Sequence, residues 1–240
     1  MKKITILLLV ILCVFTSACS MNMNKPSAKD EAVQLHATYI APAQQIINKF
    51  NDEVKKIFAE HNDNYSADPY VAELAVKTIP KITSLIGGLE KEKISNTQSK
   101  EIIRKGLMSY KSYLEVFALL KDVTPGSQEY IKLTPKVMQS MNNADNERLT
   151  FNNEFSILTT GKSTYELTLK NFQKLEQGDS YKTVANTFKM PGELTSSTNI
   201  QGRVMNSFFM QTYKWQCGDA NVSVTFENGK VRTLSQFNLK

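Results

Sequence analysis

Apolar residues in this chain recur every three to four positions as far as about residue 158, and every second position from about residue 208. The first period fits only a helix with one buried stripe and the second only a strand with one buried face, so helices must precede strands. In the first segment Val33, His36, Ile40, Ala43, Ile47, Phe50, Val54, Ile57 and His61 fall alternately three and four apart, with Pro42 marking a kink or a start. A second helix, opening near Asp68-Pro69, continues the stripe through Ala72, Ala75, Ile79, Ile82, Ile86 and Leu89, with Pro80 inside it. A third carries Ile103, Leu107, Tyr110, Leu114, Phe117 and Leu120 and ends at Pro125-Gly126; a fourth, less periodic, runs through Ile131, Val137, Met138, Met141 and Phe155. Four helices with short turns predict an antiparallel bundle over residues 30–158.

The remainder, residues 163–240, is expected to be an α+β module. Ser163 and Glu166 have capping-box spacing ahead of Leu169, Phe172 and Leu175. Asp179 or Ser180 caps a second short helix that stops before Pro191. Val222, Val224 and Phe226 alternate cleanly up to Asn228-Gly229, a strong hairpin turn.

The N-terminus fixes the expected compartment. Lys2 and Lys3 precede an apolar run from Ile4 to Phe15, and Thr16-Ser17-Ala18 lead into Cys19. The run is too short to span a membrane and ends in small residues, as an export signal does. The small residue directly before the cysteine resembles the bacterial lipoprotein box, with Thr16 where Leu is usual. The resemblance implies that residues 1–18 are removed and that Cys19 becomes the lipid attachment site, the acyl chains being the only cofactor-like group expected. Several chains anchor stably, since each buried methylene contributes roughly 0.8 kcal/mol. The protein would then sit on the extracytoplasmic side of the cell membrane or outer membrane, with residues 19–29 as a polar tether. Loss of Lys2 and Lys3 takes the formal charge from +6 to +4. That mixed surface gives no reason to expect nucleic acid as a partner.

A second resemblance lies in the C-terminal module. "FQKLEQGDSYKTVANTFKMPGEL", "YKWQ" and "VSVTFENGKVRTLSQFNL" are similar to the β-lactamase-inhibitor-protein-like fold, as found in lipoprotein domains of unknown function and, more distantly, in the outer-membrane assembly lipoprotein of the SmpA/OmlA type. Asp179 and Lys189 stand where the pattern usually has Met and Gly. The resemblance implies two short helices packed on a four-stranded antiparallel sheet and proteins that act by binding other proteins. It implies no catalytic residues.

Candidate chemistry elsewhere does not converge. With Cys13 and Cys19 spent on export and anchoring, Cys217 is a lone thiol without a base beside it, expected to fill space on a strand. His36 and His61 are about 25 residues apart on one helix, roughly 37 Å, too far to share a site, and no metal ligand set is expected. "TTGKST" imitates the end of a phosphate loop, yet Ser156 stands where its first glycine belongs. "NNADNER" and "NDNYSAD" lack the central Gly and terminal Glu of a calcium loop. Tyr213 and Trp215 share one face of a strand, and if that face were open they would be hot spots for a protein partner. The expected function is therefore that of a non-enzymatic, membrane-anchored lipoprotein of the cell envelope that binds an envelope protein. The alternative is a carrier of a small apolar or cell-wall-derived molecule, held in the domain cleft or in a bundle cavity lined by Phe50, Tyr110 and Phe117.

Overall fold

The computed structural model describes residues 26–61, 68–124, 127–200 and 208–240. The expected signal segment, Cys19, most of the expected 19–29 tether and Pro125-Gly126 lie outside them. Residues 28 and 29 of the expected tether are already helical.

The helical part is built from α1 (Ala28–Leu35), a π-helical stretch (His36–Ile40), α2 (Ala41–Glu60), α3 (Asp68–Lys91), α4 (Thr97–Ala118) and α5 (Gln128–Thr160). Pro42 lies in the first turn of α2, directly after the π-helical stretch, so the expected start is found there although the chain is already helical before it. It has no N–H to offer the carbonyl one turn back, and the backbone widens there, the Ala41 N–H reaching the His36 carbonyl. The extra residue in that turn shifts the buried stripe by one position. Ala32, Leu35 and Tyr39 face inward before it, and Ala43, Ile47 and Phe50 after it. Val33, expected on the stripe, is exposed for this reason.

Charge also fixes the start of the bundle. The buried Glu31 carboxylate accepts hydrogen bonds from the Ser95 N–H at 2.8 Å, the Ser95 hydroxyl at 3.0 Å and the Asn96 N–H at 2.8 Å. Asn96 in turn caps α4 through the Ser99 N–H. At the centre α4 comes close to its neighbours at Gly106. A Cβ there would sit 2.7 Å from Ile40 Cδ1 and 2.9 Å from the Phe151 ring.

The C-terminal part comprises α6 (Leu169–Phe172), α7 (Tyr181–Phe188) and strands β1 (Glu193–Ile200), β2 (Phe208–Cys217), β3 (Ala220–Glu227) and β4 (Lys230–Phe237). The strands form one antiparallel sheet in the order β1-β2-β3-β4. The expected α+β class, helices first and antiparallel strands after, is the observed one. The cap of α6 differs from expectation: Thr168 accepts from the Asn171 N–H, whereas Ser163 donates to Asn153 and Glu166 pairs with Lys189. Ser180 caps α7. Lys189 ends α7 at φ 50°, a left-handed conformation that Gly adopts more readily.

Helix α5 belongs to both cores. Phe151 is buried in the helical core and Leu149 in the sheet core. Two residues apart on a helix is about 200° of rotation, so these side chains leave on opposite faces. That double burial is why the sequence of α5 shows poor periodicity.

Candidate functional site

The sheet core is aromatic and its polar tips are satisfied from α5 and the 190–192 segment. Trp215 donates its Nε1–H to the Met190 carbonyl at 2.9 Å. Asn142 donates to the Tyr213 hydroxyl at 2.9 Å. Tyr181 accepts from the Gly192 N–H at 3.0 Å and donates to Asn146, which also reaches the Gly192 carbonyl at 3.0 Å. Burial pushes the Tyr181 and Tyr213 phenols up, so both remain neutral.

Tyr213 and Trp215 are therefore core residues, at 1% and 0% exposure, and cannot serve as exposed hot spots. The inward face of β2 is the one that carries them, because α7 and Leu149 cover it. Cys217, expected to fill space, is exposed. It shares the parity of Tyr213 and Trp215 but lies beyond the end of the core, beside the Gly218 turn. His36 stacks on Phe155 at 4.7 Å and burial lowers its pKa, while His61 stacks on Tyr70 at 4.5 Å. In "TTGKST" Gly161 is the left-handed cap of α5, and the following backbone is held by Ser156 and Asn153. "NNADNER" lies within α5. Among the described residues no group of three or more His, Cys, Asp or Glu is placed to hold a metal ion, and no helix is long and apolar enough to cross a membrane.

Two surfaces remain. The first is the outer face of the sheet. Residues opposite one another in an antiparallel ladder project to the same side. The register therefore lines up Ser196, Thr212, Thr225 and Thr233 across all four strands, with Thr212 and Thr225 hydroxyls 3.0 Å apart. Lys214, Ser223 and Ser235 form the next row. Beyond them comes a row of Gln216, Asn221 and Phe237, in which Phe237 is 61% exposed. Met210 lies towards the opposite end of this face.

The second surface is a pocket of about 270 Å³ where α2, α4 and α5 meet α7, lined by Gln44, Asn51, Tyr110, Tyr113, Asp145, Arg148, Lys182 and Asn186 among others. Arg148 bridges the two parts of the molecule, donating to Asp145 at 3.1 Å and to Asn186 at 2.8 Å. Tyr110 donates to Gln44 at 2.5 Å and Tyr113 to Asn51 at 3.0 Å. The Lys182 ammonium lies 5.9 Å from the centre of the Tyr113 ring. Burial raises both phenols' pKa.

The sequence pointed to a domain cleft and to Tyr110 but not to Phe237 or to the polar residues of the pocket. The signal for Phe237 was the inward parity of Val224 and Phe226, which places alternate positions of β4 outward once the bulge after Thr225 is known. The pocket residues come from four helices and have no common spacing.

Residues 140–239 match the model of a family described as a Domain of Unknown Function with solved-structure structure, DUF3862. The match begins inside α5, at the stretch that serves the sheet core. No curated protein and no solved structure matches the chain.

Proposed function

We propose that the protein is a lipid-anchored component of the bacterial cell envelope, tethered through Cys19, which acts without catalysis by holding another envelope protein on the outer face of its sheet. The anchor rests on the sequence around Cys19 and the binding role on the resemblance of the C-terminal module. The observation that carries the site is Phe237, largely exposed on a sheet face that no described element covers. An aromatic ring in solvent is a natural anchor for a partner. Apart from Lys214, the rows beside it are hydroxyl residues with short side chains, which lose less rotamer freedom on burial than the Lys or Glu of an ordinary solvated face. Four strands at about 4.8 Å spacing and eight residues at about 3.3 Å rise give a face of about 400–500 Å². A partner's footprint is about 800 Å² in a standard interface, so contact would extend over the rim.

The alternative of an apolar ligand in the bundle meets side chains where its cavity should be. Phe50 is buried, edge-to-face with Tyr113 and tilted against Phe117, and the buried Tyr110 is hydrogen-bonded.

Labelled palmitate should enter the full-length protein and not a Cys19→Ala variant. A photo-crosslinker at Thr225 should trap a defined envelope protein that one at Lys77 on α3 does not, and Phe237→Ala should cut the yield about ten-fold, a loss of about 1.4 kcal/mol. Equal crosslinking at both positions, or no effect of Phe237→Ala, overturns the sheet-face reading.

A further inference from the structure

The junction pocket has an asymmetric supply of hydrogen-bonding groups. Its acceptors are used internally: the Gln44 Oε1 by Tyr110, the Asn51 Oδ1 by Tyr113, and the Asn186 Oδ1 and Asp145 carboxylate by Arg148. Its donors are not. Among the described residues the side-chain amide nitrogens of Asn51 and Asn186 have no partner, and Lys182 forms no ion pair.

Charge points the same way. Asp145 is buried and faces Arg148, so the two offset each other. Lys182 is the remaining charged residue of the lining, leaving one uncompensated positive charge beside neutral phenols. Two spare amide donors beside an uncompensated cation favour a ligand that carries an anion and offers further acceptors. The volume of about 270 Å³ lies just under the range of pockets for drug-sized molecules, which leaves room for about one sugar ring. The Tyr113 ring supplies an apolar wall next to the cation.

We propose that this pocket binds a single acidic sugar, a ring bearing one carboxylate, with Lys182 taking the carboxylate and the Asn51 and Asn186 amides donating to ring, ether or acyl oxygens. The proposal does not rest on the sheet-face reading, since Phe237 contributes nothing to the pocket. It would give the protein a second, small-molecule contact in the envelope, one that spans helices from both parts of the molecule.

The test compares N-acetylmuramic acid with N-acetylglucosamine, the same amino sugar without the carboxylate-bearing lactyl group, by calorimetry and by NMR of side-chain amides. The wild-type protein is expected to bind the acid about ten-fold more tightly and to shift the Asn51 and Asn186 amide signals. Lys182 is exposed, so Lys182→Gln should leave the melting temperature unchanged while removing the preference for the acid. Asn51→Ala should weaken both sugars. Binding of neither sugar, equal binding of the two, or a preference that survives Lys182→Gln overturns the proposal. So does inorganic phosphate displacing the acid at equal concentration, because the pocket would then select charge without a sugar.

Discussion

Gly192 has no room for a side chain. A Cβ on this residue would lie 2.6 Å from Trp215 Cζ2 and 2.8 Å from Cε2, in the ring itself. The ring cannot retreat, because its Nε1–H is committed to the Met190 carbonyl and Phe188 and Tyr181 flank it. Gly192→Ala should destabilise the protein by about 1–3 kcal/mol. Because Trp215 is the single tryptophan, its emission on unfolding reports the loss directly. Unchanged stability would mean that the 190–192 segment is free to move. The same crowding shows why Tyr213 and Trp215 could not be assigned to a face beforehand. Alternation puts them on one side of β2 but is silent on which side meets α7. The corresponding uncertainty affected Cys217, whose parity is that of the core although the core ends before it.

Elements are held by a few polar contacts that their own sequences do not advertise. Glu31 is the strongest case. Its carboxylate takes three hydrogen bonds from Ser95 and Asn96, joining α1 to the turn that starts α4 across 64 and 65 residues of chain. Glu31→Ala leaves two backbone N–H groups unpaired in a partly buried turn. It should cost about 2–4 kcal/mol, with faster amide exchange at Ser95 and Asn96 than elsewhere in α4. Uniform exchange along α4 would show that water replaces the carboxylate without loss. Strand β1 is the element least legible in advance. "ELTSSTNI" has few apolar residues, none in alternation, because β1 is an edge strand with its described positions largely exposed. Its conformation comes from pairing with β2, not from a pattern of its own.

For the whole molecule, α5 makes the two parts one structure. Asn142, Asn146 and Leu149 complete the sheet core from one side of this helix, while Phe151 completes the bundle from the other. A fragment of residues 161–240 should therefore fail to bury Trp215 and show solvent-exposed emission. A fragment of residues 138–240 should recover the native spectrum. Native emission from the shorter fragment would show that the sheet and α7 form a sufficient core alone. Such a shared helix hides its own signal: apolar residues on two faces of one helix blur the period by which either face could be read.

The order of helices before strands, the stripes of α2, α3 and α4, the cap of α7 and the β3–β4 hairpin were all present in the sequence, since each depends on residues within a turn or two of one another. Tertiary structure alone decided which side of the sheet is covered, that Phe237 stands in solvent, and that Gln44, Asn51, Asn186 and Lys182 converge. Burial and convergence depend on which elements meet, and local spacing holds no record of that.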